Sequence, residues 1–187
     1  MASDSGAFSY CASKALAERA AWDWVSKHKP SFQVTAIDPP WVFGPSLSPI
    51  TSLDHLNEST EAIWNLINGS NKDVPPYDFL GFVNTTDIAN AHLLAYQNEA
   101  AAGERFLVGS HFDYQTAVDY INEAFPQLEG RVPVGVKGAG LKQNGYVLDG
   151  SKAEKVLGLK YTSLKDTLVD TVNGLLDAEK KFGYVKK

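Results

Sequence analysis

Tyr10 and Lys14 bracket the segment Tyr10-Cys11-Ala12-Ser13-Lys14. On a helix, positions i and i+4 share a face, so the phenol and the ammonium would point the same way. A free tyrosine titrates near 10 and transfers protons poorly at neutral pH. A nearby ammonium favours the phenolate, and lowering the value by about three units corresponds to roughly 4 kcal/mol. A phenol poised nearer neutrality can protonate an alkoxide forming on a carbonyl substrate, or take a proton in the reverse direction. The spacing is also met by a surface aromatic beside a solvated cation, and Tyr161 and Lys165 repeat it. Context separates the two pairs. Ser163 reads as a helix cap, which leaves Tyr161 ahead of its helix, whereas Tyr10 leads into Ala12 to Glu18 and carries Lys14 on the same helix.

The elements that must position this pair follow from pattern. Residues 10–28 read as a helix stopped by Pro30. Residues 32–37 alternate and are rich in β-branched side chains, so they read as a strand. Asp38-Pro39-Pro40 ends it, because prolines cannot continue a central ladder, and Gly44-Pro45 follows as turn chemistry. Helices are expected over 53–68, from Thr85 or Thr86 to about Asn98, over 114–125, over 151–157 and from Ser163 to Gly183. Strands are expected over 79–83 and 105–109. Strands and helices alternate, which favours an α/β arrangement.

Composition narrows the function classes. Net charge is −5 and the isoelectric point is near 5.3. No Lys/Arg cluster suggests a nucleic-acid partner. The single cysteine, Cys11, excludes an internal disulfide framework and fits a reducing compartment. No apolar run reaches the length of a membrane span and no signal peptide is visible, so a cytoplasmic location is expected. No metal-ligand spacing stands out.

Val34-Thr-Ala-Ile-Asp-Pro-Pro-Trp-Val-Phe-Gly-Pro45 resembles the strand-and-turn that follows the Tyr/Lys helix in the extended short-chain dehydrogenase/reductase family. Val83-Asn-Thr-Thr-Asp-Ile-Ala-Asn-Ala-His92 resembles that family's strand-to-helix motif. Phe8-Ser-Tyr-Cys11, Phe43-Gly-Pro45 and Pro133-Val-Gly135 are similar to its NADPH-dependent methylglyoxal, carbonyl and dihydroflavonol reductase subgroup. The resemblance implies an α/β fold, the C-terminal part of an extended Rossmann-type reductase with a small substrate-binding lobe. It implies reduction of a small aldehyde or ketone by NADPH, with Tyr10 as proton donor and Lys14 holding the nicotinamide ribose. Pro39 and Val42 would touch the nicotinamide end. Ser59 would sit by a cofactor phosphate, since helix-end amides favour anions, or simply be solvated there. Trp41, Phe43, Tyr77 and Phe79 would line an apolar substrate pocket, core packing being the other fate open to Trp41 and Phe43.

Two family features have no counterpart in the sequence. No Gly-rich turn opens a nucleotide fold; Gly135-Val-Lys-Gly-Ala-Gly140 has its glycines in another order and no helix after it. No serine or threonine lies a few tens of residues before Tyr10. The chain 1–187 is therefore expected to be a single incomplete domain. Helix 10–28 and strand 32–37 would come from the nucleotide-fold sheet, the remainder mostly from the substrate lobe. Alone, strand 32–37 would present an open edge and the missing half would leave apolar surface bare. The expected partner is the N-terminal half, and the chain is expected to be inactive without it. Two alternatives stand beside this: a non-catalytic interaction module or homodimer using the open edge, and a fragment of a sugar-nucleotide epimerase or dehydratase.

Overall fold

The computed structural model describes residues 4–46, 50–76, 78–140 and 145–183. Helix α1 (Asp4–His28) begins six residues before Tyr10 and ends where Lys29 adopts φ 46° ahead of Pro30. Strand β1 (Ala36–Asp38) pairs in parallel with β4 (Arg105–Leu107). Strand β2 (Trp41–Phe43) pairs in parallel with β3 (Gly81–Asn84), and β3 runs antiparallel to β5 (Ser110–His111). Helices α2 (Glu58–Ile67), α3 (Thr85–Gln97), α4 (Tyr114–Ala124), α5 (Ser151–Leu157) and α6 (Leu164–Phe182) complete the α/β architecture.

The break between the two sheets has a local cause. Pro39 and Pro40 have no amide hydrogen to give a ladder. Pairing on β1 ends with the Val108 amide donating to the Asp38 carbonyl at 3.1 Å, and after the prolines the chain joins a different neighbour, β3. Bare backbone lets Pro40 in: a Cβ on Gly109 would lie 2.6 Å from the Phe82 carbonyl oxygen and 2.8 Å from Pro40 Cγ. Past β2, Gly44 takes φ 119°, a conformation open to glycine, and its amide donates to Thr171 Oγ1 at 2.8 Å.

Several expectations are corrected here. Residues 41–43 form a strand, where sequence reads only a turn; three residues between a Pro-Pro pair and a Gly-Pro pair are too few for alternation to register. Of the expected strand 32–37, only Ala36 and Ile37 enter the ladder, joined by Asp38. The expected helix 53–68 starts at Glu58, with Asn57 as its cap residue. Neither Thr85 nor Thr86 caps α3: Asn84 does, its side chain accepting from the Thr86 amide at 2.8 Å. Ser163 caps α6 as expected, accepting from the Asp166 amide.

Two cores result. Ile63, Leu66 and Ile67 of α2, Val118 and Ile121 of α4, and Leu168, Val172 and Leu175 of α6 close over Phe43, Phe82 and Phe112. The α6 residues fall at i, i+4 and i+7, one stripe of the helix. The second core joins Val83, Ala91, Phe106, Val108, Ala153 and Leu157, with Ile37 and Val42 against it. Through Ile37, β1 thus packs against the cluster that β4, α3 and α5 share.

Asp87 welds these parts. It is 5 % exposed and accepts from the Thr162 amide at 2.7 Å and the Thr162 hydroxyl at 3.0 Å, fastening the loop before α6 to the first turn of α3. Asp87→Ala is expected to lower the unfolding free energy by about 2–3 kcal/mol, because both donors lose a charged acceptor. Urea denaturation reads this directly; an unchanged midpoint would show that the latch contributes nothing.

Candidate active site

Helix α1 brings Tyr10 and Lys14 onto one face, with Lys14 Nζ 5.6 Å from the centroid of the Tyr10 ring. The helix itself is thinly held. Among its described side chains none is buried, and its contact seam is Glu18, Trp22 and Val25, at i, i+4 and i+7. Arg105 Nε donates to Glu18 Oε1 at 2.7 Å, and Trp22 Nε1 donates to the same carboxylate at 3.1 Å. Asp38 Oδ2 also lies 3.0 Å from Arg105 Nε, yet that single N–H is aimed at Glu18, so the buried Asp38 oxygen receives no hydrogen bond. The bonds from Trp22 and Arg105 hold Glu18 below the usual glutamate value. Burial pushes Asp38 up, Arg105 opposes the rise, and Glu18 adds to it.

Away from that seam α1 presents Phe8 (75 % exposed), Leu16 (62 %) and Trp24 (46 %). Among the described residues β1 is paired on one side only, with β4. The open edge and bare apolar surface expected of strand and helix are thus both present.

Tyr10 opens onto a cleft of about 570 Å³ lined by Gly6, Pro39, Pro40, Trp41, Glu58 and Phe79. The cleft lies beyond the carboxyl end of β1, where α/β sheets place their ligands. Trp41 and Phe79 meet edge to face at 5.5 Å. Phe43 does not reach the cleft: it is 2 % exposed and lies in the core behind Trp41, stacked on it at 6.3 Å. Alternation explains this, since Trp41 and Phe43 point the same way on β2 but Phe43 sits one pleat deeper. Tyr77 falls outside the described residues.

A second, polar cleft of about 390 Å³ adjoins the first through Asn57, Glu58 and Ser59. It gathers Val42, Gly44, Ser59, Thr60 and Thr85. Ser59 is in the first turn of α2 and accepts from Asn57 Nδ2 at 2.8 Å. That bond occupies the Asn57 side chain, which makes no cap to the helix, so it leaves first-turn amides of α2 uncapped. The structure therefore places Tyr10, Pro39, Trp41 and Phe79 at one cleft and Val42 and Ser59 at its neighbour.

The competing sequence signals resolve differently. Tyr161 precedes α6; its hydroxyl accepts from the Gly109 amide at 3.2 Å and donates to the Gly150 carbonyl at 3.1 Å, while Lys165 binds Glu123 at 2.8 Å. Two amides of the Gly135–Gly140 segment are occupied from α4, with Gln115 accepting from Val136 and Asp119 from Gly138. Glu58 and Arg105 are the site residues that sequence reasoning missed. Glu58 carried a faint signal, one residue before Ser59; Arg105 carried none, because its partners are remote in the chain.

Comparison with protein-family models gives no match. The NADPH-dependent methylglyoxal reductase GRE2 of Saccharomyces cerevisiae is 39 % identical over 175 residues, 91 % of this chain and 51 % of the relative. The cinnamoyl-CoA reductase CAD2 of Medicago truncatula is 40 % identical over 174 residues, 92 % of this chain and 49 % of the relative. The crystal structure of yeast methylglyoxal/isovaleraldehyde reductase Gre2 complexed with NADPH superposes with a TM-score of 0.84 at 37 % identity, over 92 % of this chain and 52 % of that one. Over about nine-tenths of its length the chain is thus similar to NADPH-dependent reductases. It spans about half the length of the curated relatives it matches and corresponds to their C-terminal portion. Among the described residues no helix is long and apolar enough to cross a membrane.

The α1 seam has a pH signature. Below 3.8 the contribution of Asp38 to stability is fully present, and it is lost as pH rises through the raised value, because the folded chain holds the proton longer. Glu18 acts in the opposite sense: its contribution is present above 4.5 and lost as pH falls through its lowered value. Asp38→Asn is expected to remove the first decline, so its Tm gain over the parent grows from below pH 3.8 to neutrality; a constant difference would refute the assignment. Arg105→Met is expected to speed amide exchange along α1 with little change in α6, checked by hydrogen–deuterium exchange.

Proposed function

We propose that this chain is the proton-transfer and substrate-binding half of an NADPH-dependent carbonyl reductase, and that turnover requires a nucleotide-binding half joined ahead of Tyr10. One observation carries this: a tyrosine that shares a helical face with a lysine opens onto an apolar cleft at the carboxyl end of a parallel strand. The relatives' names and the half-length coverage support it. In this scheme α1 and β1 extend a nucleotide-fold sheet whose next strand pairs with the open edge of β1.

The residues fit the cofactor. Uncapped amides at the start of α2, with Ser59 among them, suit a phosphate. Pro39 and Val42 flank the path between the two clefts and would meet the nicotinamide end. NADPH supplies a hydride to the carbonyl carbon. Tyr10 gives its phenolic proton to the carbonyl oxygen, so an aldehyde or ketone leaves as an alcohol. Lys14 steadies the phenolate that remains and holds the ribose hydroxyls. Trp41 and Phe79 exclude water and orient the substrate. Phe43 supports Trp41 from the core.

The relatives' names range over methylglyoxal, isovaleraldehyde and cinnamoyl-CoA. The bare face of α1 and the free edge of β1 also favour a second reading, self-association of a non-catalytic module.

Full-length protein is expected to oxidise NADPH in the presence of an aldehyde. Tyr10→Phe is expected to cut kcat by roughly 10²- to 10⁴-fold while leaving cofactor affinity close to the parent's. Steady-state kinetics and fluorescence titration of NADPH check both. A Tyr10→Phe enzyme with parental kcat would end the proposal, and a full-length protein that neither binds nor oxidises NADPH but forms stable dimers would favour the interaction module.

A further inference from the structure

The cleft beside Tyr10 is apolar on almost every side. Pro39, Pro40, Trp41 and Phe79 form its walls, and among the described residues Glu58 is the one ionisable side chain in that lining apart from the Tyr10 phenol. Glu58 opens α2 with its side chain exposed in the lining, next in sequence to Asn57 and Ser59 of the polar cleft, so its charge meets a ligand that extends past the aromatic pair. Asp78 adds a second negative charge at the same mouth. It precedes the lining residue Phe79 and accepts from the Tyr114 hydroxyl at 3.2 Å. Burial and the fields of Asp78 and Glu58 together push the Tyr114 phenol well above its ordinary value. The nearby cation, Lys14, rests over the Tyr10 ring and is not among the side chains that line the cleft.

We propose that Glu58 is a specificity-determining residue: it rejects carbonyl substrates that carry a carboxylate, phosphate or other anionic group, and admits uncharged and cationic ones. The physical basis is repulsion between like charges a few ångströms apart beside low-dielectric walls, which favours a neutral or cationic ligand by about three- to tenfold for each such contact at an exposed mouth. Selection of this kind deepens the reductase activity proposed above and presupposes it only for the kinetic test.

The test uses the full-length protein and three para-substituted benzaldehydes of similar size: the parent compound, 4-carboxybenzaldehyde and 4-(trimethylammonio)benzaldehyde. With NADPH, kcat/KM is expected to fall for the carboxylate by about three- to tenfold relative to benzaldehyde, chiefly through KM, and to hold or rise for the ammonium. In Glu58→Gln the ratio of carboxylate to ammonium substrate is expected to shift at least threefold toward the carboxylate. Added salt is expected to shrink the parent's discrimination, because the cleft mouth is open to solvent. Calorimetric titration of the same three compounds gives the order of dissociation constants with no turnover. A protein that reduces none of them thus fails as a reductase, while its affinity order still decides the role of Glu58. Equal handling of the carboxylate and the ammonium compound by the parent, in both measurements, would overturn the proposal. So would a charge ratio that Glu58→Gln leaves unmoved.

Discussion

Two adjacent residues without amide hydrogens govern this structure. Because Pro39 and Pro40 cannot donate to a ladder, the chain leaves β4 after Asp38 and resumes pairing with β3 at Trp41. That change of partner splits the strands into two sheets and leaves a gap at the carboxyl end of β1. The Pro40 ring crowds the space that side chains at Gly81 and Gly109 would occupy, together with Leu148 at the first and the Phe82 carbonyl at the second. The gap is where Tyr10, Trp41, Glu58 and Phe79 converge. A single local rule of backbone chemistry therefore sets both the topology and the position of the cleft.

Around that gap, polar side chains do the joining that apolar contact leaves undone. Thr171 accepts from the Gly44 amide and donates to the Thr167 carbonyl, and Thr167 accepts from Asn84 Nδ2 at 3.1 Å, so α6 is tied to the ends of β2 and β3. Asp87 does the same for α3 and the loop at Thr162. These are buried or partly buried bonds with every named partner satisfied, the condition under which polar groups fix one arrangement of an interior instead of weakening it. The walls of the cleft belong to this well-joined part. The helix that carries Tyr10 does not; it reaches the rest through Glu18, Trp22, Val25 and the shared N–H of Arg105.

Much of this was legible in the residues. The α6 stripe of Leu168, Val172 and Leu175, its Ser163 cap and the stop at Gly158 follow local rules that tertiary context did not override. The Tyr10–Lys14 face is set by helical geometry alone, and the cap at Ser163 was enough to separate it from Tyr161 and Lys165. What escaped was non-local or very short. Strand β2 has three residues between turn signals, and β5 has two, so neither offers an alternation to detect. Asn84 outcompeted Thr85 and Thr86 as a cap because it ends a strand in extended backbone one step earlier. Arg105 and Glu18 meet across more than eighty positions, and only their contact beside Asp38 shows that they matter.

The thin attachment of α1 gives the phenol an unusual dependence. Its distance from Trp41 is fixed on one side by a rigid wall and on the other by a helix resting on a narrow ridge, with Phe8, Leu16 and Trp24 facing outward. Whatever covers those outward groups also stiffens the ridge, so docking and the alignment of donor with acceptor become one event. Under the proposed function, competence for chemistry would be a property of the assembled particle, acquired at the moment of assembly and lost with it, in the manner of a tool whose jaw closes only when its handle is fitted.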